Sequence, residues 1–159
     1  MLVRHRRVLG DDYKGTLETM HWMARSILGQ GRSADAEALF EEALAGRRRV
    51  QGDDHPDTLE TLHWLASSIM GQGINADAEA LYGEAVAGRR RTLGEAHMDT
   101  MNTQYWLGSS VYYQRRYGES EMIHKGLVGL ATSVYGAQHE FTLKALEVLS
   151  DTQSCLRKR

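Results

Sequence analysis

The 159-residue sequence is poor in cysteine, proline and long apolar runs. Its single cysteine, Cys155, excludes an intrachain disulfide and a zinc site built from cysteines. Its single proline, Pro56, leaves room for many helices, because proline breaks helix interiors. No apolar run approaches the roughly 20 residues that span a bilayer, and the first residues lack the apolar core of a signal peptide. We therefore expect a chain that works in a reducing, cytoplasmic compartment and does not enter a membrane.

An internal repeat of 42 residues is the main feature that is present. The sequence Gly10-Asp11-Asp12 returns as Gly52-Asp53-Asp54, and glycines follow at the same interval at Gly94 and Gly136. The segments 10–51 and 52–93 share about 28 of their 42 positions. A fixed period of this length is typical of solenoid proteins. We divide the chain into repeats at 10–51, 52–93 and 94–135 and a half repeat at 136–159, with residues 1–9 as the end of a preceding helix.

Each repeat is predicted to contain two helices, A and B. In the second repeat apolar residues from Leu59 to Ile69 recur at helical spacing, and Pro56 suits the first turn of that helix. The glycines of Gly71-Gln72-Gly73 end it, and Asn75 begins the next. The same pattern predicts A helices at about 14–29, 56–71, 98–114 and 140–156 and B helices at about 33–50, 75–92 and 117–134. Two short helices cannot bury their apolar faces alone, so the prediction is an all-α solenoid of antiparallel helix pairs.

The motifs of the second repeat resemble a known family. They are GDDHPDTL at 52–59, Leu65-Ala66, AEAL at 78–81 and RRRTLG at 89–94. Together they are similar to the 42-residue tetratricopeptide repeat of kinesin light chains and of NB-ARC-associated signalling proteins. The resemblance implies a right-handed superhelix whose concave face, lined by A helices, grips an extended peptide. The family's paired groove asparagines are replaced here by His21-Trp22, His63-Trp64 and Tyr105-Trp106, so peptide specificity is not carried over.

The resemblance also places a set of candidate peptide-binding residues on the A helices, beside the apolar stripe. They are His21, Arg25, Glu60, His63, Ser67, Met70, Tyr105, Ser109 and Tyr112. The neighbouring Trp22, Trp64 and Trp106 are possible aromatic anchors, since tryptophan buries a large area with few torsions to freeze. They could instead pack between neighbouring A helices. We favour packing for the tryptophans and ligand contact for His21, His63 and Tyr105.

The basic triplets, the histidines and the acidic loop are better explained by structural roles than by ligand binding. The basic triplets at 47–49 and 89–91 end B helices and precede acidic loops, which favours helix-dipole compensation and ion pairs between repeats over nucleic-acid binding. The formal net charge of −2 agrees with that interpretation. His21 and His63 lack a third ligand for zinc, and the loop with Asp53, Asp54, His55 and Asp57 lacks the ligand pattern of a calcium loop. We expect that loop to cap the next helix and to complement its dipole. We predict neither a metal nor a cofactor.

No nucleophile elbow, HExxH or paired-cysteine motif is present, so the sequence does not indicate an enzyme. The leading hypothesis is a non-catalytic protein-interaction scaffold that binds an extended peptide or protein segment on the A-helix face. The alternative is a structural subunit, or a fragment of a longer array, that assembles through its ends.

Overall fold

The computed structural model describes residues 14–158, which contain seven α-helices and no strand. The predicted helix at 1–9 lies outside the described residues. The helices are α1 (Lys14–Gly29), α2 (Ser33–Gln51), α3 (Pro56–Gly71), α4 (Asn75–Leu93), α5 (Met98–Tyr113), α6 (Tyr117–Tyr135) and α7 (Glu140–Arg157). All seven predicted helices are confirmed, with ends within one residue of those expected. The A helices α1, α3, α5 and α7 begin 42 residues apart.

The turns between helices also follow the period. Gly52, Gly94 and Gly136 end α2, α4 and α6 with positive φ angles of 88°, 87° and 89°. Each donates its backbone N–H to the carbonyl four residues earlier, at 3.0 to 3.2 Å. Within each pair, the turn from A to B places Gly31, Gly73 and Arg115 at positive φ. Arg115, at 62°, occupies a conformation that glycine adopts at less cost than a residue with a Cβ atom.

Helix packing divides the chain into two compact units, one ending at Leu81 and the other beginning at Tyr82. In the first unit α2 packs against both α1 and α3, and α1 also touches α3. In the second unit α6 packs in the same way against α5 and α7. The core of the second unit includes Met101, Leu127 and Phe141, and that of the first includes Leu17 and Met20.

The first arginine of each basic triplet is a buried link between a B helix and the next A helix. Arg47 donates through Nη1 to the carbonyl oxygen of Asp57 and to Oγ1 of Thr61, both at 2.6 Å. Arg89 makes the same pair of bonds to Asp99 (2.9 Å) and Thr103 (2.6 Å). Burial lowers the pKa of Arg47, while nearby acids oppose the shift.

The second arginine of each of these two triplets forms an ion pair with an acid at the start of the next repeat, as predicted. Arg48 Nε lies 3.1 Å from Asp53 Oδ1, and Arg90 Nη2 lies 2.9 Å from Glu95 Oε1. The triplets are therefore partly buried connectors and partly surface ion pairs.

The junction of α6 and α7 is built differently. At the positions that correspond to arginine, aspartate and threonine in the earlier junctions, it has Ala131, Phe141 and Ala145. All three are buried in one apolar cluster. This junction therefore replaces a polar link with hydrophobic contact.

Candidate functional site

A cation stacked between two tryptophans lies on the A helices of the first unit. The Cζ atom of Arg25 on α1 is 4.6 Å from the ring centroid of Trp22 and 4.3 Å from that of Trp64 on α3. Both distances are within the range of a cation–π interaction. Trp22 is 54% exposed, so one large aromatic side chain remains open to a partner.

His21, His63 and Tyr105 are buried, with exposures of 1%, 4% and 7%. We expected these three side chains to contact a ligand at the surface, and their burial shows that this expectation is wrong. The three side chains instead lie below the surface and support it. His21 packs edge-to-face on Trp22 at 5.6 Å, and His63 on Trp64 at 5.5 Å. The preference for packed tryptophans is also wrong for Trp22, while Trp64 and Trp106 are half-buried.

These residues are buried because an A helix packs against more than one neighbouring helix. The apolar spacing in the sequence indicates one apolar stripe on α3, with His63 beside it. In the structure the buried arc of α3 is wider and includes Thr61, His63 and Ser68 in addition to the leucines. α1 shows how an A helix acquires more than one buried side, because it contacts both α2 and α3. A position next to an apolar stripe can therefore be buried by a second helix.

The other predicted residues differ in accessibility. Ser109 is buried and donates its hydroxyl to the Tyr105 carbonyl at 2.9 Å, so its predicted role in direct contact is also corrected. Ser67 and Met70 are half-buried. The hydroxyl of Tyr112 lies 3.5 Å from Cys155 Sγ. That contact, together with desolvation, raises the pKa of Tyr112 to about 12, so the phenol stays neutral.

The second unit repeats the cation–aromatic contact with different residues. Lys144 Nζ on α7 lies 4.3 Å from the ring centroid of Tyr105 and 5.3 Å from that of Trp106 on α5. The two rings meet edge-to-face at 5.3 Å. Burial raises the pKa of Tyr105, which favours its uncharged form. Each unit thus carries a cation on its A-helix aromatic residues.

A pocket of about 330 Å³ lies among α1, α2 and α3, next to the tryptophan stack. We call it the α1–α3 pocket; Glu18, His21, Trp22, Gln51 and Glu60 are among its lining residues. Glu60 Oε1 lies 3.7 Å from both His21 Nε2 and Arg25 Nη1. The pKa of Glu60 is lowered to about 2, first by His21 and then by the attraction of Arg25 and Arg47, against a desolvation effect that raises it. The Glu60 carboxylate is therefore charged at neutral pH.

The sequence did not indicate this pocket, whereas the cap role expected for the loop that contains His55 is seen at the start of three A helices. His55, His97 and His139 precede α3, α5 and α7, and each accepts a backbone N–H through Nδ1 at 3.1 to 3.2 Å. The three histidines are 42 residues apart, so the repeat extends the cap from His55 to His97 and His139. Histidine is not among the usual N-cap residues, which are serine, threonine, aspartate and asparagine.

The described residues contain no cluster of three or more His, Cys, Asp or Glu side chains that could hold a metal ion. None of the helices between residues 14 and 158 combines the length and apolarity needed to cross a membrane.

Family models for the tetratricopeptide repeat match residues 15–68 and 58–99, which together are more than half of the chain. The chain belongs to the tetratricopeptide repeat family. Such repeats generally mediate protein–protein interaction. No curated protein has a significant match to the sequence.

Solved structures agree with the tetratricopeptide assignment. Two crystal structures of Podosopora anserina kinesin light chain-type proteins with nearly identical TPR-like repeats, one of them a point variant, superpose with TM-scores of 0.89 and 0.87. Their identities are 21% and 20%; each alignment covers 99% of this chain and 74% or 75% of the other. BtubC (BKLC) from P. vanneervenii gives a TM-score of 0.72 at 16% identity, over 90% of this chain and 61% of its own. The predicted all-α solenoid fold of tetratricopeptide repeats is thereby confirmed.

Proposed function

We propose that this tetratricopeptide protein is a non-catalytic, cytoplasmic scaffold that binds an extended peptide or protein segment on its A helices. The observation that carries the proposal is the Trp22–Arg25–Trp64 stack with its exposed Trp22 face. Large exposed aromatic residues and arginines are the side chains that most often dominate binding energy at protein interfaces. The stack joins α1 to α3, so a segment lying on it would contact two repeats at once.

The roles of the site residues differ from those first expected. The exposed Trp22 and the half-buried Trp64 and Arg25 make the contact in this proposal. His21 and His63 lie beneath the tryptophans and fix the ring orientations through edge-to-face packing. A surface whose side chains are already ordered loses less entropy on binding than a flexible one.

A random peptide library displayed on phage tests the proposal. We expect the wild-type chain to enrich a peptide family, and Trp22→Ala to weaken its binding at least tenfold in calorimetry, because truncating an aromatic interface residue commonly costs more than about 1.4 kcal/mol. Met23→Ala is the matched control, since Met23 is the next residue on α1 and is also exposed. Equal losses in the two variants, or no enrichment at all, would contradict the proposal.

Self-assembly is the second candidate function. It is favoured by two exposed leucines on α7, Leu143 at 48% and Leu146 at 39%, which lie one helical turn apart. Light scattering over a concentration series separates the candidates. Growth in mass that Leu143→Lys with Leu146→Lys abolishes would support assembly, whereas a monomer at every concentration would support the peptide-binding role alone.

A further inference from the structure

We propose that one face of α7 docks an amphipathic helix of a partner protein, and that this helix places a lysine or arginine opposite Glu147. This inference goes beyond the proposed peptide site, because it concerns a different surface and a helical partner instead of an extended one. The partner helix would occupy the two leucines that self-assembly would also use, so the experiment has to separate these two occupants.

The face consists of four exposed side chains of α7, and we call it the open face. They lie at the spacing i, i+3, i+4 and i+7, which places them on one side of a helix. They are Leu143, Leu146, Glu147 and Ser150. Their counterparts three repeats earlier, on α1, are Leu17, Met20, His21 and Ala24. All four counterparts are buried, so the same face of an A helix is covered in the first repeat.

On α1 this face is covered by α2, the B helix of the same repeat. Leu17 and Met20 form a cluster with Ala43 of α2. His21 packs edge-to-face on Phe40 of α2, with 5.7 Å between the ring centroids. Within residues 14–158, α7 packs against α6 and touches α5, and its open face stays exposed. The element that fits this face is therefore an antiparallel helix with the apolar pattern of a B helix.

The pair α5 and α6 shows which position of the B helix meets the centre of the face. Tyr105, the counterpart of Glu147, packs edge-to-face on His124 of α6 at 5.8 Å. A Cβ atom added to Gly108, the counterpart of Ser150, would lie 2.6 Å from the ring of His124. One side chain of the B helix therefore lies against both positions of the A helix.

Glu147 changes the chemistry that this position of the covering helix needs. The position is held by Phe40 in α2 and by His124 in α6, and both side chains are completely buried. An aromatic residue there would cover the Glu147 carboxylate without pairing it, which costs free energy, whereas lysine or arginine would form a charged hydrogen bond with it. The partner helix thus combines a cation at this position with apolar residues one turn later, as at Ala43 and Leu44 of α2.

The probe is a synthetic peptide that copies α2, residues 33–51. A hydrocarbon link between positions 38 and 42, which are both exposed on α2, keeps the peptide helical and lowers the entropy lost on binding. A second peptide carries Phe40→Arg and is otherwise identical. Calorimetry measures both peptides on the full wild-type chain and on Glu147→His, which has the residue of α1 at this position. Glu41→Gln is the control, because it removes one negative charge from an exposed acid on another helix.

We expect the Phe40→Arg peptide to bind the wild-type chain and Glu41→Gln at least about fivefold more tightly than the unmodified peptide, because it pairs with Glu147. On Glu147→His this preference should disappear or reverse. The double variant Leu143→Lys with Leu146→Lys should abolish the binding of both peptides. Both leucines are exposed, so circular dichroism should show the helix content of the wild-type chain.

Three results would overturn the assignment. Binding that survives the double lysine variant would place the peptides elsewhere, for example in exchange with α2 itself. A preference for arginine that persists on Glu147→His, or no binding of either peptide, would remove the basis for a basic partner helix. Growth in mass with concentration that the double variant abolishes would assign the open face to a second copy of the chain. None of these results affects the peptide site at Trp22, which the library experiment tests separately.

Discussion

Replacing Gly108 by alanine adds only one methyl group, but we expect it to destabilise the protein because that group would lie in the core. Gly108 is buried on α5, and a Cβ atom added there would lie 2.6 Å from Cε1 and 2.9 Å from Nε2 of His124. Ordinary carbon contacts are about 3.5 to 4.0 Å, so the imidazole would have to move. It has little room to do so, because His124 is completely buried and its Nδ1 is held 3.0 Å from the Ser120 carbonyl.

Two opposing effects set the magnitude. Overpacking of this kind costs about 1–3 kcal/mol. Alanine in a helix interior regains about 1 kcal/mol relative to glycine. We therefore expect Gly108→Ala to lower the free energy of unfolding by about 1 kcal/mol, within a range from about 0 to 2.

Gly126 on α6 is the matched control, because nothing lies within 4 Å of a Cβ atom placed there. Gly126→Ala should raise the free energy of unfolding by about 0.5–1 kcal/mol. Urea denaturation followed by circular dichroism measures both variants. If Gly108→Ala were stabilised as much as Gly126→Ala, the close approach of α5 and His124 would not limit packing and the reasoning would fail.

Four further outcomes can be checked by the same denaturation measurement. Arg115→Gly should stabilise by up to about 1 kcal/mol, because it removes a left-handed conformation from a residue with a Cβ atom; no gain would argue against strain in that turn. Arg89→Met should destabilise by about 1–3 kcal/mol through the loss of two hydrogen bonds from a charged donor, and a neutral result would mean that the link is dispensable. His97→Ala should cost about 1 kcal/mol as a lost N-cap, whereas His97→Asn should retain most of the stability. Burial lowers the pKa of His124 below 6.5, so the unfolded chain takes up the proton first; stability should fall as pH drops below about 6.5 and should fall less in His124→Gln.

The sequence predicted the helices well because local signals agreed with one another. Pro56 at the start of α3, Gly73 after its end and the apolar spacing between them all indicate one helix of the same length. The repeat then carried those boundaries to segments whose own signals are weaker. Arg115 is an example, since its turn has the same conformation as that of Gly73 without the glycine that marks it.

The surface of the A helices could not be predicted to the same accuracy. Helical periodicity states which residues share a face but not how many neighbours cover that face. His21 and Trp22 are adjacent in the chain, yet the first is buried and the second is more than half exposed. The α1–α3 pocket was also beyond reach, because it brings together residues as distant as Glu18 and Glu60.

The apolar junction of α6 and α7 should weaken more on cooling than the junctions that are linked by Arg47 and Arg89. Where Ala131, Phe141 and Ala145 take the positions of the arginine link, the contact depends on the exclusion of water. That driving force fades as temperature falls, while the charged hydrogen bonds of Arg47 and Arg89 do not share this dependence. On chilling, α7 should be the first of the A helices to loosen from its preceding partner.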